Sequence, residues 1–229
     1  MGIGRKEKQL LDDIVVSENA ADRELKEAQA RKANAEADLL DLEYALIARA
    51  TQLSLDSDEY CEYHFAGDVD HDSVTDCLAQ LKYWDRQAPE CPFNIELTSQ
   101  GGSVWDGCRL FDYLVDWSIR GGGSHEITIR VRGIAASMAS VLLQAADHRV
   151  MGRGSVLMIH ESAMNPGFGR KSALEDALRA LEVEERFSDP IFAERAGLSV
   201  EEFRELYRRR DLWLTPDEAL TIGFIDRIG

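Results

Sequence analysis

The sequence predicts an α/β fold preceded by a helical arm, and three observations carry that expectation. Residues 93–98 and 127–131 alternate apolar and polar side chains, the period of a half-buried strand. Each run leads into glycine, Gly101-Gly102 or Gly133, and then into a stretch of helix formers. Residues 1 to about 52 differ from the rest, with no proline and with glycine only at Gly2 and Gly4. Strand, glycine turn and helix in alternation is the pattern that crossover connections produce.

The arm comes first. From Asp22 to Ala50 nearly every residue is a good helix former. A helix over residues 18–50 is on the order of 50 Å long. Ser17 is placed to cap it, after a shorter helix holding Leu10, Leu11, Ile14 and Val15. Leu25, Ala28, Ala35, Leu39, Leu42 and Leu46 recur at helical spacings, while Lys32 and Arg49 interrupt the stripe. The arm, residues 1–53, is therefore a candidate coiled coil that packs on itself or a neighbour without a continuous seam. Ser54–Glu59 reads as a linker to an α/β domain over residues 60–229.

Within that domain the strand at 93–98 passes into a helix over Val104–Trp117. The strand at 127–131 passes through Gly133 into a helix over Ala136–Ala146. A short strand over Ser155–Ile159 ends at His160, and a further helix spans Ser172–Arg186, with Leu174, Leu178 and Leu181 on one face.

Composition removes several classes of function. The formal charge of −16, with no basic run longer than Arg208-Arg209-Arg210, excludes nucleic acid as the main partner. No apolar run approaches the roughly 18 residues of a membrane helix. The first residues are charged rather than apolar, so a cytoplasmic protein is expected. The four cysteines, Cys61, Cys77, Cys91 and Cys108, form no CxxC pair and no metal-ligand spacing with histidine. They read as free thiols, and neither metal nor cofactor is expected.

Three residues carry candidate chemistry. Ser137 opens a helix after a strand and a glycine, among small residues that let a substrate approach. It reads either as a helix N-cap or as a nucleophile beside unpaired backbone N–H groups. His160 closes an apolar strand, and strand ends are where α/β folds place chemistry, though such a histidine is also common as a structural residue. Asp211, in Arg210-Asp-Leu-Trp-Leu-Thr-Pro-Asp-Glu218, passes equally as a solvated or capping acid. The G-x-S-x-G elbow of α/β-hydrolases is absent.

Taken together, five segments in order resemble the proteolytic subunit of the Clp protease family. They are Thr98-Ser-Gln-Gly-Gly-Ser-Val104, Gly133-Ile-Ala-Ala-Ser-Met138, Met158-Ile-His160, the aspartate segment just quoted, and Gly223-Phe-Ile-Asp226. Phe65-Ala-Gly-Asp-Val-Asp70 is similar to the family's first strand and turn. The resemblance implies the Clp/crotonase-like spiral of βαβ units with a handle helix. It implies a serine endopeptidase with Ser137 as nucleophile, His160 as general base and Asp211 as the acid that orients it. The backbone N–H groups of Gly102 and Met138 would form the oxyanion hole. Gly101, Ser103, Val104, Ser162 and Ala163 would hold an extended peptide. Two stacked seven-membered rings around a chamber, open to unfolded chains or short peptides, are also implied.

The chain departs from the family pattern in several places. Gln100 stands where proline is usual. Asn94 and Glu96 replace the apolar residues that receive a loop of an ATP-dependent unfoldase, so that partner is not expected. Arg209 and Arg210 replace an acid–arginine pair that joins the two rings, and the segment before Asp211 is one residue longer. The arm takes the place of a short axial loop. A divergent member, for instance a phage head maturation protease, suits these changes. Two other classes compete: a catalytically idle assembly or scaffolding subunit, and a crotonase-type acyl-CoA enzyme. The latter shares the spiral fold and backbone oxyanion donors but does not need serine, histidine and aspartate at these positions.

Overall fold

The computed structural model describes residues 60–162 and 170–229, together with the helical positions Gln9, Ala28, Gln29, Arg31, Lys32, Asn34, Ala35 and Leu39. The chain divides into two units, residues 1–56 and 57–229. The expected leucine stripe of the arm and the linker Ser54–Glu59 lie largely outside the described residues. Ala28, Ala35 and Leu39 of that stripe are helical and exposed.

The second unit is the α/β domain. It contains seven strands and six helices among the described residues. Strand β1 spans Glu62–Ala66, α1 His71–Gln87, β2 Phe93–Ser99, α2 Val104–Trp117 and β3 Ile127–Ala136. Helix α3 spans Met138–Leu143, β4 His148–Met151, β5 Val156–Ile159 and α4 Lys171–Ala196. Helix α5 spans Val200–Tyr207, β6 Leu212–Leu214, α6 Pro216–Ile222 and β7 Arg227–Ile228. The sheet runs β1-β2-β3-β4-β7, all parallel, while β5 pairs with β3 and, antiparallel, with β6.

Local chemistry explains most of these elements. Strand β2 buries Phe93, Ile95, Leu97 and Ser99 and turns the alternate residues outward, the period-two pattern of its sequence. Helix α1 starts at a reciprocal capping box between Asp70 and Ser73, and α6 at another between Thr215 and Glu218 with Pro216 in the first turn. Phe93 anchors the sheet to α1 and α2. Its ring stacks on His125 at 4.0 Å and meets Trp84 and Trp117 at 6.1 and 5.8 Å between centroids.

Two helices differ in length from the sequence reading. Helix α3 begins at Met138 rather than Ala136, because β3 continues to Ala136 in order to pair with β5. Helix α4 does not stop at Arg186 but runs 26 residues to Ala196, through Pro190. Proline there removes one backbone donor. The continuation is held by Phe192 and Ala193, which are buried, and by stacking of Phe192 on Phe203 of α5 at 5.0 Å.

The far end of the domain is closed by Arg149. Its side chain is 6% exposed and donates to Gln144 Oε1 and to the Gly223 carbonyl, both at 2.8 Å. Its backbone N–H and Nε donate to Asp226 Oδ2 at 2.7 and 3.1 Å, and Nη2 donates to Asp226 Oδ1. Burial works against the Asp226 charge, but the Arg149 hydrogen bonds and charge outweigh it and hold the carboxyl below its usual range. A depressed carboxylate stabilises the fold above its unfolded pKa of about 3.9 and loses that contribution as pH falls through the lower folded value. Asp226→Ala is expected to destabilise the protein by roughly 3 kcal/mol at pH 7, the low end for a broken pair because Asp226 is partly exposed. Denaturant melts should show the gap between wild type and variant narrowing as the pH is lowered below about 3.9.

Candidate active site

The site is built where β3 changes partner. Residues Thr128–Val131 pair with β4, and Ile134–Ala136 pair with β5. The change is made at Arg132-Gly133. Two residue steps along β2, from Leu97 to Ser99, match four along β3, from Val131 to Ala135. Gly133 takes φ +82, a conformation that side chains disfavour. Ser155 Oγ bridges the break, accepting from Gly133 N at 3.2 Å and donating to Val131 O at 3.0 Å.

Beyond the break, Ser137 N donates to Met158 O at 2.9 Å, which sets the serine beside the end of β5. Ser137 holds φ +54 and ψ −125, strained for a residue with a side chain. It occupies the N-cap position of α3 but makes no capping hydrogen bond. Its Oγ lies instead 2.8 Å from His160 Nε2. The hydroxyl thus points at the histidine instead of capping the helix. With the ring proton on Nδ1, Nε2 accepts from the hydroxyl.

The glycine loop after β2 presses against this serine. A Cβ on Gly101 would lie 2.7 Å from both Ala136 O and Ser137 Cβ, and 3.0 Å from Met138 N. A Cβ on Gly102, where φ is +147, would lie 2.3 Å from Val69 O. Glycine at 102 is therefore required by the chain behind it, before any substrate arrives. Val69 N donates to Gly101 O at 2.8 Å and Ser103 N to Val69 O at 2.7 Å. This leaves the N–H groups of Gly102 and Met138 without an acceptor among the described residues.

The remaining expected substrate residues are placed as follows. Ser103 caps α2 through Oγ, which accepts from Asp106 N at 3.3 Å, and its carbonyl accepts from Gly107 N at 3.0 Å. Gly101 N donates to Ser99 Oγ at 3.1 Å. Between Gly101 and Ser103, Gly102 keeps both backbone groups open among the described residues. Val104 and Ser162 line the cavity beside Ser137, and Ala163 lies outside the described residues.

Asp211 is adjacent to His160 in register but not bonded to it. Strand β6 pairs antiparallel with β5, Ile159 opposite Leu212, so one further step of the ladder sets His160 opposite Asp211. The Asp211 side chain is exposed and makes no hydrogen bond or ion pair to His160 among the described residues. The preceding turn is drawn the other way: Arg209 holds φ +57 and its N–H donates to Glu161 Oε1 at 2.9 Å.

A cavity of about 100 Å³ adjoins the serine. Gly102, Ser137, Met138 and His160 form one part of its lining, and Glu184, Glu185, Phe187 and Asp189 of α4 form another. Little in the sequence marks Asp189 as part of this site. It is buried, accepting from Tyr207 Oη at 2.7 Å and from Arg204 Nε, residues 18 and 15 positions away. Burial, together with this carboxylate, pushes the Tyr207 hydroxyl far above its ordinary pKa. Only the proximity of an acid to Pro190 within an apolar run hinted at a special position. Among the described residues, no cluster of three metal-ligating side chains is present.

Comparison with known proteins matches this sequence to the following family and relatives. The family model described as Clp protease matches residues 61–229. The chain is 32% identical over 169 residues to an ATP-dependent Clp protease proteolytic subunit 3 from Synechococcus sp. (strain CC9902), covering 72% of this chain and 80% of the relative. It is 37% identical over 152 residues to an ATP-dependent Clp protease proteolytic subunit from Porphyromonas gingivalis, covering 66% of this chain and 65% of that one. A subunit of the same description from Bacteroides fragilis is 31% identical over 167 residues, covering 70% and 74%. The match of that family model to residues 61–229, with relatives 31–37% identical, places this chain in the Clp protease family, as a divergent member.

Proposed function

We propose that the domain is a serine endopeptidase in which Ser137 is the nucleophile and His160 its general base. The observation that carries this reading is the 2.8 Å contact between Ser137 Oγ and His160 Nε2, in a serine that forgoes its helix cap. Oγ attacks the carbonyl carbon of a peptide bond while its proton passes to Nε2. The negative charge that develops on the carbonyl oxygen is met by the N–H groups of Gly102 and Met138, which have no other acceptor among the described residues. One such donor typically contributes about 2.7–4 kcal/mol to the transition state. The tetrahedral intermediate collapses, the amine leaves with the proton from His160, and water then releases the acyl group by the same route.

Asp211 is assigned the orienting role toward His160 Nδ1. Its support is the β5–β6 register, and the role requires its side chain to turn from solvent onto the imidazole. The separation seen here is also the one observation that favours an idle assembly subunit. Reaction with a fluorophosphonate separates the two, since labelling needs an activated serine. Ser137→Ala is expected to abolish labelling and to lower kcat by about 10⁶, with its melting temperature retained. Labelling that persists in Ser137→Ala protein would assign the nucleophile elsewhere. Asp211→Asn should lower kcat by up to about 10⁴ with little change in KM, measured on a fluorogenic peptide. Wild-type kcat in that variant would remove Asp211 from the mechanism.

The named relatives are subunits of a larger protease, and a ring of copies is proposed for this chain too, heptameric as the resemblance implies. Leu174 and Leu178, one turn apart on α4, are 46% and 63% exposed, and Trp105 is 61% exposed, so apolar area is left uncovered by the chain itself. No unfoldase is proposed as partner. Glu96 faces His64 and Arg132 at 3.5 Å, and Asn94 Nδ2 donates to Tyr60 O, a polar surface unsuited to an apolar loop. Sedimentation velocity is expected to show a closed oligomer that shrinks in a Leu174→Glu/Leu178→Glu variant. A monomer at every concentration tested would defeat the ring.

A further inference from the structure

The cavity beside Ser137 carries charge that bond cleavage does not use. Helix α4 brings Glu184 and Glu185 to its lining, with Asp189 one turn beyond. The three carboxylates are not equivalent. Asp189 is compensated by Arg204 and by the Tyr207 hydroxyl. Neither Glu184 nor Glu185 has an ion pair among the described residues, although both are half-buried. Burial, reinforced by the Asp189 charge, raises the Glu185 carboxyl above its usual range despite Arg204. The same lining also includes the apolar side chains of Val141, Ile159 and Phe187.

We propose that this cavity receives the lysine or arginine side chain of a peptide substrate, on the residue whose carbonyl Ser137 attacks. The methylene stem lies along Val141 and Phe187, and the charged end meets Glu184 and Glu185. Long basic side chains suit such a lining because stem and head differ in polarity. A leucine in the same place shields the two carboxylates from water and gives them no partner, which is unfavourable. An acidic side chain is repelled. The formal charge of −16 also draws cationic chains toward the protein. This inference rests on the peptidase reading, since it takes the acyl position to be at Ser137.

The test compares two peptide diphenyl phosphonates that differ only in that residue, lysine against leucine, as covalent probes of the full chain. The lysine probe is expected to label Ser137 at least about tenfold faster. In a Glu184→Gln/Glu185→Gln variant, with folding checked by melting, the ratio should fall toward one. Equal rates, or a leucine preference, in wild-type protein that a plain fluorophosphonate still labels at Ser137 overturn the inference and leave the peptidase reading in place. A lysine preference that survives in the double variant overturns the assignment to these glutamates. Failure of every probe to label Ser137 overturns both readings.

Discussion

The break in β3 at Gly133 is the constraint on which the site depends. A straight strand would keep β4 as its neighbour along its whole length. Because the strand bulges after Val131, its last residues find β5 instead. That exchange sets His160 at the end of one strand beside Ser137 at the end of the other. Ser155 fills the gap left at the junction, with one hydroxyl serving both sides of the break. The cost of φ +82 falls on a glycine, where it is small. Ser137, four residues on, carries a positive φ of its own, +54, which a side chain disfavours.

Two glycines complete the geometry from opposite sides. Gly101 lets the loop after β2 touch the serine backbone, and Gly102 lets the same loop lie on Val69. The loop is thus clamped between β1's continuation and the start of α3. Its one outward N–H at Gly102 is held by the packing of its neighbours rather than by a bond of its own. A donor fixed in advance does not have to reorganise when charge appears, which is the source of its value.

Much of this was legible in the sequence, for physical reasons. Strand β2 and helix α2 follow side-chain periodicity, which reports burial directly; α2 spans 104–117 as the pattern indicates, and β2 runs one residue past the expected Thr98, to Ser99. The parallel α/β class follows from the order of strands, glycines and helices. Ser137 and His160 were legible as a pair only through the joint resemblance, since each alone has an ordinary structural reading. The bulge in β3 was not legible: Ile134-Ala-Ala136 has no alternation, and its pairing depends on a partner strand twenty-two residues onward. The run of α4 past Pro190 was hidden because tertiary stacking on Phe203 overrides the local breaker. The Asp189–Arg204–Tyr207 contact joins two helices, and no local pattern encodes it.

The Arg149 clamp sets an order in time. It joins Gln144, at the end of the helix that begins after Ser137, to Asp226, 77 residues beyond Arg149. A chain emerging from the ribosome has made the serine, the histidine and both glycines long before that aspartate exists. Until it does, the helix behind Ser137 lacks its anchor, and β4 lacks the edge strand β7 that covers it. A newborn chain therefore carries Ser137 and His160 without the fully braced scaffold around them. On the proposed peptidase reading, this lateness keeps the site unfinished while the chain is still being made.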